Sequence, residues 1–241
     1  MQSVDRAFDL LELMGADPHG VALSQLAANS GLPVPTIHRL LRTLVASGHA
    51  LQLPSRRYAL GPRLVGLGER SRHTLDAWAL PHLVSLAERS GETANLAVLD
   101  GDMVVYVAQA PSSRHTFRMF TEVGRRLFTH CTGVGKAVLA QLPEPDVRAI
   151  VATAGMPAPT DHTIVDVDEL TAELARVRAQ GFAVDDGEQE PGVRCVAVPV
   201  PATPRTAISI SGPASRLTPE AVPQVVPLLT ATADALATRP G

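Results

Sequence analysis

The stretch between Ser24 and Leu44 constrains the fold of this 241-residue chain more than any other. Its pattern predicts two short helices joined by a tight turn at Gly31, because glycine adopts the left-handed backbone that ends a helix without steric penalty. In the second helix, apolar residues recur at the i, i+3, i+4, i+7 spacing that lines one face. These residues are Ile37, Leu40, Leu41 and Leu44. With a polar, basic opposite face, this pattern is typical of a helix-turn-helix, whose second helix fits the DNA major groove.

Charge favours this interpretation over an ordinary helical hairpin with a solvated arginine face. The net charge of the chain is -3, yet residues 18–68 contain five arginines and no aspartate or glutamate. Such a segment suits a surface that meets phosphates. The strand-like runs His49–Leu53 and Tyr58–Leu60 flank a turn at Pro54–Arg57, which predicts a wing with two arginines at its tip. We therefore predict a winged helix-turn-helix DNA-binding domain in residues 1–61.

Hydroxyl side chains and prolines predict where the helices of this domain begin. Ser3 is expected to cap a helix that ends at Gly15, and Ser24 the helix that precedes the turn, because a serine hydroxyl accepts a hydrogen bond from an unpaired first-turn N–H. Pro33 and Pro35 lie where the first turn of a helix tolerates proline.

The side chains predicted to meet DNA lie on the second helix, the wing and the chain start. Arg39 and Arg42 are one helical turn apart, and each can donate two parallel hydrogen bonds to guanine or pair with a phosphate. Arginines at the wing tip suit phosphate or minor-groove contacts that position the protein. The predicted DNA-binding residues are Arg6, Ser24, Pro35, Thr36, His38, Arg39, Arg42, Arg56 and Arg57.

The rest of the chain predicts a linker and a second domain. Residues 62–75 are predicted to form a linker helix that ends near Arg72, with a separate helix from about Asp76 to Arg89. Asp100-Gly101 predicts a hairpin between strands at 93–99 and 103–109. Further strands are predicted at 116–123, 193–201 and 206–211. Further helices are predicted at 132–142, 144–154, 167–180 and 219–238, the last interrupted by Pro223 and Pro227. The fold class is α/β (α+β), with a mixed sheet and surrounding helices in residues 76–241.

Several function classes are disfavoured by the sequence. No apolar run approaches membrane-spanning length and the N-terminus lacks a signal pattern, so we expect a cytoplasmic protein with no membrane partner. Its two cysteines, Cys131 and Cys195, fit a reducing compartment. The chain has no phosphate loop, dinucleotide fingerprint or nucleophile elbow, and we predict no cofactor and no metal.

The chain resembles the IclR (isocitrate lyase regulator) family of bacterial transcription factors in several segments, which occur in the order and at the spacing found in that family. In the first domain these are Val4–Ala7, Gly31–Pro33, Thr36–Leu41 and Tyr58–Gly61. In the second they are Gly91–Ala94, Gly133–Ala137, Gly181–Glu188, Gly192–Val200 and Ile208–Pro213. The resemblance implies a winged helix-turn-helix, a linker helix and a GAF-like effector-binding and oligomerisation domain. It also implies a homodimer or tetramer (a dimer of dimers) on a palindromic operator, controlled by a small organic or aromatic acid. We expect a repressor, although repression or activation depends on where the operator lies relative to the promoter.

The resemblance also implies a set of effector-binding positions in the second domain. They are Met119, Leu127, Gly133, Val134, Asp185, Val193, Cys195, Ser209 and Ser211. The residues themselves are compatible with this role, because glycines at the start of the helix after Thr132 expose N–H groups, and Ser209 and Ser211 lie on one face of a strand. Each of these residues is also compatible with an ordinary core or turn position.

Two other functions remain open from the sequence. One is a DNA-binding dimer without ligand control, in which the second domain only dimerises. The other is an enzyme with Cys131 or Cys195 as nucleophile and His130 as its base, although adjacent strand residues such as His130 and Cys131 point to opposite faces.

Overall fold

The computed structural model describes residues 2–112, 122–203 and 205–238. It divides the chain into two compact units, Met1–His73 and Thr74–Gly241. Helices and strands together form a mixed structure, as the sequence predicted. Within the described residues, no helix is both long enough and apolar enough to span a membrane.

The N-terminal unit contains the predicted helix-turn-helix and wing. Its elements are α1 (Gln2–Gly15), α2 (Leu23–Ser30), α3 (Val34–Ala46), β1 (Ala50–Gln52), β2 (Tyr58–Leu60) and the start of α4 (Arg63–Ser90). Gly31 ends α2 in the left-handed conformation, at φ +65°, and its N–H donates to Ala27 O at 3.1 Å. Pro35 lies in the first turn of α3. The turn predicted at Gly31 and the first-turn position of Pro35 are confirmed, whereas Pro33 is the capping residue that precedes α3.

The predicted serine caps are wrong. α1 already includes Ser3, and α2 begins one residue before Ser24, so Ser24 lies exposed inside the first turn. Ala22 is the residue before α2, and its N–H donates to Gln25 Oε1 at 3.1 Å. The side chain of Gln25, inside the helix, thus accepts the hydrogen bond of the backbone N–H that precedes α2, in place of a cap by the Ser24 hydroxyl.

The wing is a short antiparallel ribbon fixed to the helices. β1 and β2 pair with Ala50 opposite Leu60, and Tyr58 also forms a bridge to Val21. The helices and ribbon pack on one apolar cluster, in which Ile37 and Leu26 are fully buried.

One helix replaces the two helices predicted between residues 62 and 89. α4 runs without a break from Arg63 to Ser90, and the boundary between the two units falls inside it. The sequence between Arg72 and Asp76 contains neither glycine nor proline, so nothing there ends a helix. The prediction of a separate linker helix that ends near Arg72 is therefore wrong.

The C-terminal unit is built on a six-stranded antiparallel sheet in the order β5-β4-β3-β8-β7-β6. The strands are β3 (Thr93–Asp100), β4 (Met103–Ala110), β5 (Arg126–Phe128), β6 (Ala183–Asp186), β7 (Val193–Pro199) and β8 (Thr206–Pro213). The helices are α5 (Gly133–Leu139), α6 (Glu144–Ala154), α7 (Val167–Gln180) and α8 (Val222–Ala237). Residues of α8 and the C-terminal part of α4 pack on one face, and α5 with Val177 of α7 packs on the other.

Most elements of this unit were predicted, but the sheet is wholly antiparallel and not mixed, and several elements differ from the prediction. The short strands β5 and β6 were missed, and α5 ends at Leu139 rather than at residue 142. α8 is continuous, because Pro223 lies in its first turn and the cost of Pro227 is offset by apolar burial against the sheet. The strand predicted at 116–123 falls mainly on residues outside the described ranges.

A candidate DNA-binding face and a candidate effector pocket

The outer face of α3 is exposed and basic. His38, Arg39 and Arg42 are exposed, while Ile37 and Leu41 on the opposite face are at most 1% exposed. Within the described ranges, no ion pair includes Arg39 or Arg42. The buried residues fix the helix against the domain core, and the guanidinium groups of Arg39 and Arg42 on the exposed face are left available for phosphates or base edges.

The two wing arginines have different surroundings. Arg56 is exposed at the tip, with φ +61°. Arg57 turns back towards the helices: its Nε donates to Gly20 O at 2.7 Å, its Nη2 donates to Gln25 Oε1 at 3.2 Å, and Nη2 lies 3.6 Å from Asp17 Oδ2. Arg57 therefore ties the wing to the start of α2, whereas Arg56 presents its charge outward.

The other predicted DNA-binding residues are distributed over three helices. Ser24 on α2 and Pro35 on α3 are exposed, and Arg6 on α1 and Thr36 on α3 are half-buried. Their contacts with DNA remain a prediction.

In the C-terminal unit, a pocket opens beside β7 and β8 and the residue that precedes α5. Its lining residues are Tyr106, Arg125, Leu127, Thr132, Asp185, Gln189, Glu190, Val193, Cys195 and Ser211. Five of them were predicted effector positions, namely Leu127, Asp185, Val193, Cys195 and Ser211. The cavity volume is about 40 Å³, which is room for only a few water molecules.

The remaining predicted effector positions are not among these lining residues or lie outside the described residues. A Cβ at Gly133 would lie 3.0 Å from Cys195 Sγ and 3.2 Å from Cys195 O, so a larger residue would require Cys195 or α5 to shift. Val134 on α5 and Ser209 on β8 are fully buried. Met119 lies outside the described residues.

Asp185 is a buried carboxyl group in the pocket wall. It lies opposite Cys195 in the β6–β7 register, and its Oδ1 accepts from the backbone N–H groups of Glu188, at 2.7 Å, and Gln189, at 3.3 Å. Burial, with the nearby Glu188 charge, raises the pKa of Asp185 from 3.8 to about 7, although the backbone donors and Lys136 act in the opposite direction. At neutral pH the group is therefore divided between its protonated and ionised forms.

Lys136, the sole lysine of the chain, is buried on α5. Its Nζ pairs with Glu188 and lies 3.7 Å from Glu173 Oε1. Its side chain is 1% exposed, so the positive charge is held by carboxylates rather than by water.

The cysteines lack the environment of a nucleophile. Burial raises the pKa of Cys195 to about 11 and that of Cys131 to about 12, with the Asp185 charge adding to both shifts. His130 Nε2 contacts Pro157 O at 2.9 Å, and burial lowers the pKa of His130. A catalytic thiol needs a lowered pKa, so this arrangement does not favour thiolate chemistry. In the part of the chain that the structure describes, no three histidine, cysteine or acidic residues form a group able to hold a metal ion.

Sequence reasoning missed a pair of amide side chains beside the pocket. Gln109 Nε2 donates to Asn95 Oδ1 at 2.9 Å, and Asn95 Nδ2 lies 3.3 Å from both Ser209 Oγ and Ser211 Oγ. The signal in the sequence was an asparagine inside an apolar strand, because a polar side chain that such a strand buries needs a polar partner on a neighbouring strand.

Comparisons with known families cover both units. The family model described as "Bacterial transcriptional regulator IclR C-terminal" matches residues 70–238, and the family model described as "IclR helix-turn-helix domain" matches residues 3–54. The chain is 37% identical over 229 residues to the transcriptional repressor IclR of Escherichia coli strain K12, covering 92% of this chain and 84% of that protein. It is 34% identical over 231 residues to the regulator BhcR of Paracoccus denitrificans, covering 90% and 79%.

Solved structures agree over nearly the whole chain. A crystal structure of an IclR transcriptional regulator from Silicibacter has a TM-score of 0.84 at 33% identity, covering 98% of this chain and 94% of that one. An IclR homologue from Microbacterium hydrocarbonoxydans, crystallised with 4-hydroxybenzoate, has a TM-score of 0.72 at 26% identity, covering 98% of each chain.

Proposed function

This chain belongs to the IclR family of bacterial transcriptional regulators, and from that membership we propose that it is a cytoplasmic repressor whose promoter binding is controlled by a small organic or aromatic acid. Its relatives are named regulators and repressors, and the chain is a regulator rather than an enzyme. The observation that carries the DNA-binding part is the outer face of α3, where Arg39 and Arg42 project from a helix fixed by fully buried residues.

The proposed DNA contacts divide between base readout and positioning. Arg39 and Arg42 are the candidates for base edges, since a guanidinium can bond guanine N7 and O6 together. Arg56 at the wing tip and Arg6 on α1 are the candidates for phosphates. Arg57 keeps a place in the predicted set, with part of its hydrogen-bonding capacity already used by Gly20 and Gln25.

The proposed effector site is the pocket between Thr132, Asp185, Cys195 and Ser211. Hydroxyl groups and a protonated Asp185 can donate hydrogen bonds to a carboxylate, and Leu127 and Val193 supply apolar contact. The Microbacterium homologue, which binds an aromatic acid, supports this class of ligand. Because the cavity is about 40 Å³, an aromatic acid requires the lining side chains to move.

We also propose that the protein binds a palindromic operator as a homodimer or as a dimer of dimers. In the N-terminal unit, α1 exposes Val4 (58%) and Phe8 (62%), and α4 exposes Val65 (69%). Exposed apolar side chains of this size support self-association, and a two-fold dimer matches two operator half-sites. Sedimentation of wild type and Phe8→Glu tests this: we expect a smaller assembly for the variant, and an unchanged one removes α1 from the interface.

DNA binding is tested by fluorescence anisotropy on DNA that flanks the chain's own gene, over a salt series. We expect Arg42→Ala to weaken specific binding at least about tenfold and to relax base preference, or to reduce the salt slope by about one if the contact is to phosphate. Arg89→Ala, which removes an exposed arginine of the C-terminal unit, is the matched control. Equal binding by Arg42→Ala and wild type refutes the role of α3.

Effector control is tested in the same assay with small carboxylates and aromatic acids. A compound that changes operator affinity in wild type supports the proposal. Specific DNA binding that no compound changes favours the alternative, a DNA-binding dimer without ligand control.

A further inference from the structure

A relay of four polar side chains crosses the sheet beside the pocket. Gln109 on β4 donates from Nε2 to Asn95 Oδ1 on β3 at 2.9 Å. Asn95 Nδ2 then donates to Ser209 Oγ and Ser211 Oγ on β8, each at 3.3 Å. The register brings them together, because Asn95 is opposite Gln109 on one side and Ser209 on the other. Asn95, Ser209 and Ser211 are at most 1% exposed.

The direction of the relay follows from counting donors and acceptors. Asn95 Oδ1 accepts from Gln109, so the amino end of Asn95 faces the serines. A serine hydroxyl has one proton, and its oxygen can accept. Because each serine oxygen accepts from Asn95, each hydroxyl proton is directed away from Asn95.

The hydroxyl protons are directed towards the pocket wall. Cys195 lies opposite Ser211 in the β7–β8 register, and both residues line the pocket. Burial is the main cause of the raised pKa of Cys195, and hydrogen bonds from Ser211 and Ser209 act against it, which places both hydroxyls beside the thiol. Sulfur is a weak acceptor, so a ligand oxygen is a better partner for these protons.

We propose that Gln109 and Asn95 are positioning residues that fix two hydroxyls as hydrogen-bond donors, that of Ser211 in the pocket lining and that of the buried Ser209 beside Cys195. The pocket then selects ligand groups that only accept hydrogen bonds, such as a carboxylate, over an amide of the same shape. A carboxylate has two acceptor oxygens and an amide has one, so an amide leaves one of the directed protons facing its NH₂ group, where no acceptor is available. The inference rests on the effector role proposed for this pocket.

The variant Gln109→Glu inverts the relay without touching the pocket lining. Its carboxylate accepts hydrogen bonds and donates none, so Asn95 turns its amino group towards residue 109 and its oxygen towards the serines. The serines then donate to Asn95 and present lone pairs to the pocket. Gln109→Met keeps the side-chain length and supplies neither donor nor acceptor, which makes it the matched control. Gln109 is half-buried on β4, so both variants are expected to fold.

Calorimetry with two ligand pairs, acetate with acetamide and benzoate with benzamide, measures the selectivity. We expect wild type to bind the carboxylate of a pair at least about tenfold more tightly than the amide, since a site built for one hydrogen-bonding pattern rejects the other. Gln109→Glu should shift this ratio at least about tenfold towards the amide, with Gln109→Met in between. An unchanged ratio in Gln109→Glu overturns the inference. So does a wild-type protein that binds neither member of either pair at millimolar concentration.

A readout without ligand is available because the chain has only two asparagines, Asn29 and Asn95. Selective ¹⁵N labelling of asparagine side chains yields one exposed amide, Asn29, and one buried amide, Asn95. We expect the Asn95 amide protons to exchange slowly with solvent in wild type. Their chemical shifts should move in Gln109→Glu, because one of them then donates to a carboxylate, while Asn29 is unchanged. Asn95 protons with the same shifts in wild type and Gln109→Glu overturn the relay.

Anisotropy on the gene-flanking DNA separates this inference from the proposed function. The Gln109 variants should bind DNA without ligand as wild type does. If the selectivity ratio shifts as expected but no carboxylate alters DNA binding, the relay stands and effector control fails. If a carboxylate alters DNA binding but the ratio is the same in Gln109→Glu, the relay alone fails.

Discussion

Replacing Asp185 by asparagine should stabilise the C-terminal unit at alkaline pH and leave it little changed at acid pH. The Asp185 side chain is 4% exposed, and its Oδ1 accepts the N–H groups of Glu188 and Gln189. An asparagine oxygen accepts both bonds equally well, so Asp185→Asn removes the ionisation and keeps the turn.

The magnitude follows from the pKa of Asp185, which burial raises from 3.8 to about 7. The folded state holds the Asp185 proton more tightly than the unfolded chain does. The contribution of this group to the free energy of unfolding is therefore complete below pH 3.8 and is lost as pH rises through about 7. One pKa unit corresponds to 1.36 kcal/mol, so the full loss is about 4 kcal/mol, and between pH 5 and pH 8 it is about 2–3 kcal/mol. The free energy of unfolding of wild type should fall by that amount relative to Asp185→Asn.

The assay is urea unfolding at pH 5, 6, 7 and 8, followed by tryptophan fluorescence. Trp78, the single tryptophan of the chain, belongs to the C-terminal unit, where its Nε1 donates to Leu236 O at 3.2 Å. Its fluorescence therefore reports unfolding of the unit that contains Asp185. Asp161→Asn, at an exposed aspartate of the same unit, controls for the loss of one negative charge.

The reasoning is refuted if wild type and Asp185→Asn lose stability equally between pH 5 and pH 8. It is also refuted if Asp161→Asn gains as much at pH 8 as Asp185→Asn does, because the effect would then come from net charge rather than from a buried carboxyl group.

Three further predictions concern the wing, the buried lysine and ligand binding. Arg56→Ala should reduce the salt slope of DNA binding by about one without changing stability. Arg57→Ala should also lower the thermal midpoint of the N-terminal unit, because it removes the hydrogen bond to Gly20 O, and equal midpoints in the two variants would contradict this. Lys136→Met should lower the free energy of unfolding in urea by about 3–5 kcal/mol, because it leaves Glu188 buried and unpaired. The double variant Lys136→Met, Glu188→Leu should recover part of this loss, and a double variant no more stable than the single one counts against the ion pair. Benzoate affinity measured by calorimetry should fall up to about tenfold per pH unit above pH 7 in wild type, and should be flat in Asp185→Asn.

The helix-turn-helix was predictable because its determinants are local. The apolar stripe from Ile37 to Leu44 and the left-handed Gly31 depend only on residues a few positions apart, and both appear in the structure as the sequence indicated. The serine caps were not predictable to the residue, since a serine can serve at the cap or lie in the first turn, as Ser24 does.

The candidate pocket was predictable only in part because it depends on strand register. The alternation of Ser209 and Ser211 showed that they share a face, but no local pattern places Asn95 opposite Ser209, 114 residues away. β6, which holds Asp185, has four residues and gives no clear period. Pairing between distant strands, rather than the character of any single segment, decides which polar side chains meet in this pocket.

The two polar features of the pocket argue for one ligand chemistry. The relay through Asn95 directs hydroxyl protons at the pocket wall, and Asp185 presents a proton of its own when it is neutral. A carboxylate satisfies both donors, but it must meet the protonated form of Asp185, because two ionised carboxyl groups in a site this small repel each other. If the pocket is the effector site, as we propose, binding of an acid would carry a proton onto Asp185, and the affinity for the ligand would depend on pH.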